Sequence, residues 1–180
     1  MLRPTFKAEQ KFERQPPEPA FLPSHPGAIV SQKFDPSQGQ VRVFVQLINI
    51  EDLTLFKEGL LPAENIRQQQ VEFLVNTNFH ALAINERLRN ELGLRTIDRR
   101  SLQLATGEIV QCDLVAVETR FANRRSLQNA WVLPGDAEPL FGMIPMESLD
   151  VVVEVETLRL IVNPKHPMGQ VVALKTPFLR

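Results

Sequence analysis

"VEFLVNTNFHALAINERLRNELGL", residues 71–94, is the stretch on which the fold turns. Val71, Phe73 and Val75 recur at every second position, the period of a strand with one buried face. The strand runs into Asn76-Thr77-Asn78, which reads as a turn. Beyond it, Ile84, Leu88 and Leu92 are spaced four apart, so one helical face carries all three. Asn85 is suited to cap that helix, and Gly93 stands where a left-handed residue is wanted at its end. The pattern predicts a strand, a polar turn and a short helix.

Upstream, Val41, Val43, Val45 and Leu47 alternate with polar neighbours and predict a half-buried strand. "EDLTLFKEGLLPAENIR" (51–67) follows as a helical or irregular insertion, interrupted by Pro62. Half of the 14 prolines fall in the first 36 residues: Pro4, Pro16, Pro17, Pro19, Pro23, Pro26 and Pro36. Proline lacks an amide donor and pushes its predecessor towards extended geometry. Residues 1–39 therefore read as an extended arm, whose "PAFLP" is either a docking element or part of a loosely held tail.

Downstream, "SLQLATGEIVQCDLVAVETRF" (101–121) reads as a hairpin with its tip at Thr106-Gly107. Val110, Cys112 and Leu114 share one face, whereas Val115, Val117 and Phe121 share the other. Such a parity switch marks a β-bulge or a strand that changes partners. "LQNAWVLPG" predicts another strand, "EPLFGMIPMESL" a turn and short helix, and "DVVVEVETLRLIVNP" a hairpin turning at Glu156-Thr157. About seven short strands with one clear helix predict a mainly β, closed domain over residues 40–180.

The bulk properties narrow the function classes. In 180 residues, 43% are hydrophobic and 23% charged, ordinary values for one globular domain with a real core. A formal net charge of −1 argues against nucleic acid or an anionic lipid surface as partner. No apolar run approaches the ~18 residues of a membrane span. The charged N-terminus has no apolar core of the secretory type, and a cytoplasmic location is expected. Cys112, the single cysteine, cannot form an internal disulfide and predicts a small buried hydrophobe.

Two segments together resemble the retropepsin-like aspartic peptidases, the single-domain relatives of retroviral protease. The first is the strand, Asn76-Thr77-Asn78 and the helix ending "ELGL". The second is Glu138-Pro139-Leu140-Phe141-Gly142 with its short helix. In that family the first segment carries Asp-Thr/Ser-Gly, and the second carries two apolar residues and a glycine. The bacterial and cyanobacterial branch is the most similar, with "INE…LGL", "LADG", "NRR", "LVLPG", "EPLLGAIPLE" and "LIVNPxHP" in order. Here "INERLRNELGL", "LATGEIVQCD", "FANRRS", "WVLPGDAEPLFGMIPMESLDVVV" and "LIVNPKHP" follow in the same order, over roughly residues 40–175.

The resemblance implies a small closed barrel that forms half of a two-fold homodimer. Each copy would donate one Asn76-Thr77-Asn78 loop, with Thr77 hydrogen-bonding across the axis. Thr106 and Gly107 would tip a flap over an extended peptide, and the Leu140-Phe141-Gly142 strand would support the loop from behind. Terminal strands, "VVALK" (171–175) among them, would interleave. No cofactor and no metal is implied.

At position 76 the family has aspartate. Two carboxylates close together share one proton, so that one activates a water while the other polarises the scissile carbonyl. Asn76 has no titratable proton near neutral pH. Asn78 replaces a glycine that serves a tight turn, and asparagine tolerates left-handed geometry better than most residues. Two readings follow. One is a pseudo-peptidase that binds peptide or protein segments without cutting. The other is an active aspartic endopeptidase in which the aspartate at 76 has been replaced.

Other candidates have plainer explanations. His80 and a symmetry mate, with Asn78, could ligate a metal, but a histidine at the cleft edge accounts for it better. Asp98, Glu72, Glu86, Asp113 and Asp136 read as solvated surface charge. Arg99-Arg100 and Arg124-Arg125 read as solvated faces, since no aromatic platform accompanies them.

Overall fold

The computed structural model describes residues 34–35, 40–104, 106–154 and 156–171. Its first half contains β1 (Phe34–Asp35), β2 (Gln40–Asn49), α1 (Ile50–Lys57), a 3-10 turn (Ala63–Asn65), β3 (Gln68–Val75), β4 (Leu82–Asn85) and α2 (Glu86–Glu91). The second half contains β5 (Thr96–Gln103), β6 (Ile109–Phe121), β7 (Arg124–Leu133), β8 (Leu140–Phe141), α3 (Met143–Ser148), β9 (Val151–Glu154) and β10 (Arg159–Val162). The expected N-terminal arm lies outside the described residues except for Phe34–Asp35, which pair antiparallel with Gln40–Val41. Of "VVALK", only Val171 is described.

The chain is mainly β. An eight-stranded sheet runs β1-β2-β3-β8-β4-β7-β6-β5, and a further β2–β6 pairing joins its two halves. The strands β2-β3-β8-β4-β7-β6 thus form a ring. Antiparallel β9 and β10 make a separate two-stranded sheet.

Alternation along β2 explains its place. Val43, Val45 and Leu47 are fully buried in the main core, which Phe73, Ile84, Val117 and Phe141 also enter. Phe73 and Phe141 meet edge to face with centroids 5.8 Å apart, a geometry worth ~0.5–1.5 kcal/mol beyond the area it buries. Ile48 points the other way and packs with Leu53 and Ile66 beneath the α1 insertion. Asn49 caps α1, accepting from Glu51 N–H at 2.8 Å and Asp52 N–H at 3.2 Å. Its Nδ2 donates to Leu92 O at 2.9 Å and Gly93 O at 3.2 Å, tying the insertion to the end of α2.

The parity switch on β6 has two causes. β5 skips Ile97, so that Thr96 pairs Val115 while Asp98 pairs Leu114. Just beyond, β6 leaves β5 and pairs with β2 at Val117–Arg120. Leu114 and Val115 are therefore both buried although they point to opposite faces.

Three expectations need correction. Ile84 is not helical: it lies in β4, paired parallel with β7, and the helix begins only after Asn85. Leu88 and Leu92 are buried as expected, Asn85 Oδ1 accepts from Leu88 N–H at 3.0 Å, and Gly93 has φ +59. Arg124 is not on a solvated face. A turn with Ala122 at φ +50 aims it inward, its side chain is wholly buried, and Nη2 donates to His166 O. Asp113 is not freely solvated either. Arg99 donates to it at 2.8 Å and Thr96 at 2.9 Å, and together they hold its carboxyl below the ordinary carboxylate value. Glu72 is half-buried, whereas Asp98, Glu86, Asp136, Arg99, Arg100 and Arg125 are exposed.

Candidate active site

β3 and β4 follow one another in sequence but do not pair. β8 lies between them, parallel to β3 (Leu74 with Leu140, Val75 with Phe141) and antiparallel to β4 (Leu82 with Phe141, Ala83 with Leu140). The connection 76–81 must therefore pass over the end of β8. Its backbone groups are held by that strand and by the start of α3. Asn76 N–H donates to Phe141 O at 3.0 Å, Gly142 N–H to Ala81 O at 3.0 Å, Met143 N–H to Phe79 O at 2.9 Å and Ile144 N–H to His80 O at 2.8 Å. Leu74 N–H donates to Pro139 O at 2.9 Å. Leu140, Phe141 and Gly142 thus pair with or hydrogen-bond to the segments on either side of the turn.

Gly142 is required by space. A Cβ there would lie 2.3 Å from Phe79 O and 2.4 Å from Ala81 O. Its φ of −92 suits any residue, so close approach of the turn backbone is the reason for glycine.

The turn closes on itself. Asn78 N–H donates to Asn76 Oδ1 at 3.0 Å, and Phe79 N–H donates to Asn76 O at 3.2 Å. This is the Asx arrangement that short polar side chains make with backbone two residues on. Asn76 is half-buried, whereas Thr77, Asn78 and His80 are exposed. Asn76 and Thr77 line a cavity of about 480 Å³ with Gln40, Val41, Leu74, Val75 and Val153.

Thr106 and Gly107 lie at the exposed tip of the β5–β6 hairpin, with Gly107 at φ +86. Gly107 N–H donates to Leu104 O at 2.9 Å. Neither residue lines the cavity. The hairpin is nonetheless fastened to the turn from below: Leu102 and Val110 pack in one apolar cluster with Phe79 and Leu140. Cys112 is buried in that cluster, and burial, with the Asp113 charge beside it, pushes its thiol up. Among the described residues, no three His, Cys, Asp or Glu are grouped to hold a metal ion. No helix of those residues is long and apolar enough to cross a membrane.

Gln40, Val41 and Val153 are cavity walls that the sequence did not single out. Each belongs to a strand with a legible alternation, but their meeting depends on long-range pairing that no local pattern records.

The chemistry open to the turn follows from its side chains. Amide and hydroxyl groups can donate and accept hydrogen bonds, but none titrates near neutral pH. No carboxylate lines the cavity among the described residues.

No protein-family model and no curated protein matches the chain. Among solved structures, it is similar to a retropepsin-like aspartic protease from Rickettsia conorii, with a TM-score of 0.37 and 12% identity over 60% of this chain and 68% of that one. It is also similar to the retroviral protease-like domain of Ddi1 from Leishmania major, with a TM-score of 0.43 and 12% identity over 67% of this chain and 87% of that one.

Proposed function

We propose that the chain is a retropepsin-like aspartic peptidase homologue that is catalytically inactive as written and binds extended peptide or protein segments in a cleft formed by two copies. One observation supports this above others. The Asn76–Ala81 connection is built around β8 with its backbone hydrogen bonds to Phe141, Gly142, Met143 and Ile144 in place, yet it presents an amide where the resemblance calls for an acid. Loss of general acid–base catalysis alone removes roughly 10²–10⁴ in rate, and in a shared-proton mechanism that step is central. Two copies on a two-fold axis would bring both Thr77 hydroxyls together, with Thr106 and Gly107 as flap tips above a bound segment.

The test is a digest of an unbiased peptide library across pH 3–8, read by mass spectrometry. The native chain cleaves nothing. Asn76→Asp alone recovers little while Asn78 stands where the resemblance calls for glycine. Asn76→Asp with Asn78→Gly recovers cleavage, best at acidic pH, where one proton is shared across the pair. Specific cleavage by the native chain, blocked by a hydroxyl-bearing transition-state mimic, would establish the active-endopeptidase reading instead.

A further inference from the structure

The amide of Asn76 has a definite orientation. Asn78 N–H donates to it at 3.0 Å, and only the oxygen can accept that bond. Nδ2 is the other terminal atom, and it donates to no described residue. Asn76 is half-buried and lines the 480 Å³ cavity, and the NH2 group left over from the turn carries two N–H donors. An ionised carboxylate in the same place would offer acceptors alone, and a pair sharing one proton would offer a single donor between two copies. The exchange of acid for amide therefore does more than remove a proton carrier: it replaces one shared, movable donor with two fixed N–H donors in each copy.

The rest of the wall narrows the ligand. Val41, Leu74, Val75 and Val153 are apolar, Gln40 and Thr77 are neutral, and no described lining residue is charged. A carboxylate or phosphate would have to lose its hydration here without a counter-charge, which is costly. A main-chain amide carbonyl is neutral and carries two lone pairs for the donors it meets.

We infer that Asn76 is a binding residue whose NH2 group donates to a main-chain carbonyl of a neutral, extended peptide segment seated against Val41, Leu74, Val75 and Val153. This rests on the peptide-cleft reading above and names what the turn recognises. The oxygen of Asn76 keeps the turn closed while its nitrogen faces the ligand, so one side chain fixes the loop and reads the backbone of the guest. A donor aimed at a ground-state carbonyl, with no base to activate water, holds a peptide without committing it to hydrolysis.

The experiment uses the full chain, uniformly labelled with nitrogen-15, at pH 7. The probe is a pool of hexapeptides acetylated at one end and amidated at the other, so neither end is charged. The Asn76 side-chain NH2 resonances move on titration together with the backbone amides of Leu74–Thr77, while those of exposed Asn129 stay put. Asn76→Ala and Asn76→Asp each weaken binding roughly tenfold or more, the size of one lost or reversed hydrogen bond, with amides of Val117 and Val132 unchanged. Movement of the Leu74–Thr77 amides without movement of the Asn76 NH2, or native affinity in either variant, would overturn the donor role and leave the cleft standing. Tighter binding of the same pool with free carboxyl ends would overturn the neutral-ligand assignment. If no resonance of residues 74–77 moves with any peptide, the cleft reading fails and this inference fails with it.

Discussion

Gly142 shows how little room the turn has. With carbonyl oxygens of Phe79 and Ala81 inside 2.5 Å of where a methyl would stand, the backbone must move to admit any side chain. Gly142→Ala should cost ~1–3 kcal/mol, the range for overpacking a fixed site, and should shift the amide resonances of Asn76–Ala81. Urea denaturation measures the first effect; an unchanged midpoint would mean that the turn yields freely. At this scale the sequence was most legible where partners are near neighbours. The Asn85 cap and the left-handed Gly93 each answer to a backbone group within a few positions. Arg124 was misread for the opposite reason. The groups that receive it, His166 and Asp150, lie far along the chain, and a basic pair in isolation looks like surface.

The α1 insertion is held by a clip between elements. Asp52 accepts from Arg67 through Nε at 2.8 Å, Nη2 at 2.7 Å and the backbone N–H at 3.0 Å. The Arg67 side-chain hydrogen bonds hold the Asp52 carboxyl below its ordinary value against the opposing effect of burial. Arg67 in turn lies over Gly93, where a Cβ would meet its guanidinium at 1.7 Å. Asp52→Asn should destabilise the chain by ~1–2 kcal/mol at pH 7, below the ~1.5–3 of a charged hydrogen bond because Arg67 is 47% exposed to screening solvent. The folded pKa is depressed, so this stabilisation is complete above the unfolded value of ~3.9 and disappears as pH falls through the folded value. The gap between native and variant urea midpoints should therefore stay constant from pH 8 to 5 and close on further acidification. A gap undiminished at pH 2, well below the unfolded value, would show that the carboxylate charge is not its source. Element types were readable from periodicity, including the switch on β6. The boundary between β4 and α2 was not, because Ile84, Leu88 and Leu92 fit a helical spacing even though the first belongs to a strand paired with β7.

For the whole molecule, the Asp150 carboxylate gathers the last described residues. It accepts from Asn163 at 2.7 Å, His166 at 2.8 Å and Val171 N–H at 3.2 Å. Burial pushes that carboxyl up, and these three donors more than offset it, leaving it below the ordinary value. The peptide-cleft proposal requires two copies, and the surface has material for an interface: Ile97, Ile109, Leu127 and Ile144 are each more than half exposed. Among the described residues, β1 and β5 end the sheet with one edge each open to pairing. Sedimentation at micromolar concentration should give twice the 20.4 kDa chain mass; a monomer would rule out a two-fold cleft. A mainly β chain with a closed arrangement of strands was predictable from alternation and turn residues. The order of strands was not, because the place of β8 between β3 and β4 is a relation among distant segments.

That placement has a consequence in time. β3 and β4 are made early, but the strand that separates them is reached only near Leu140, after the long β6 and β7 have been completed. Contacts so far apart along a chain form slowly, since loop-closure entropy is spent before they return any stability. The turn carrying Asn76 should thus acquire its shape only after β8 has been made. Between the making of Asn76 and that of Leu140, a nascent chain carries this sequence without the strand that shapes the site.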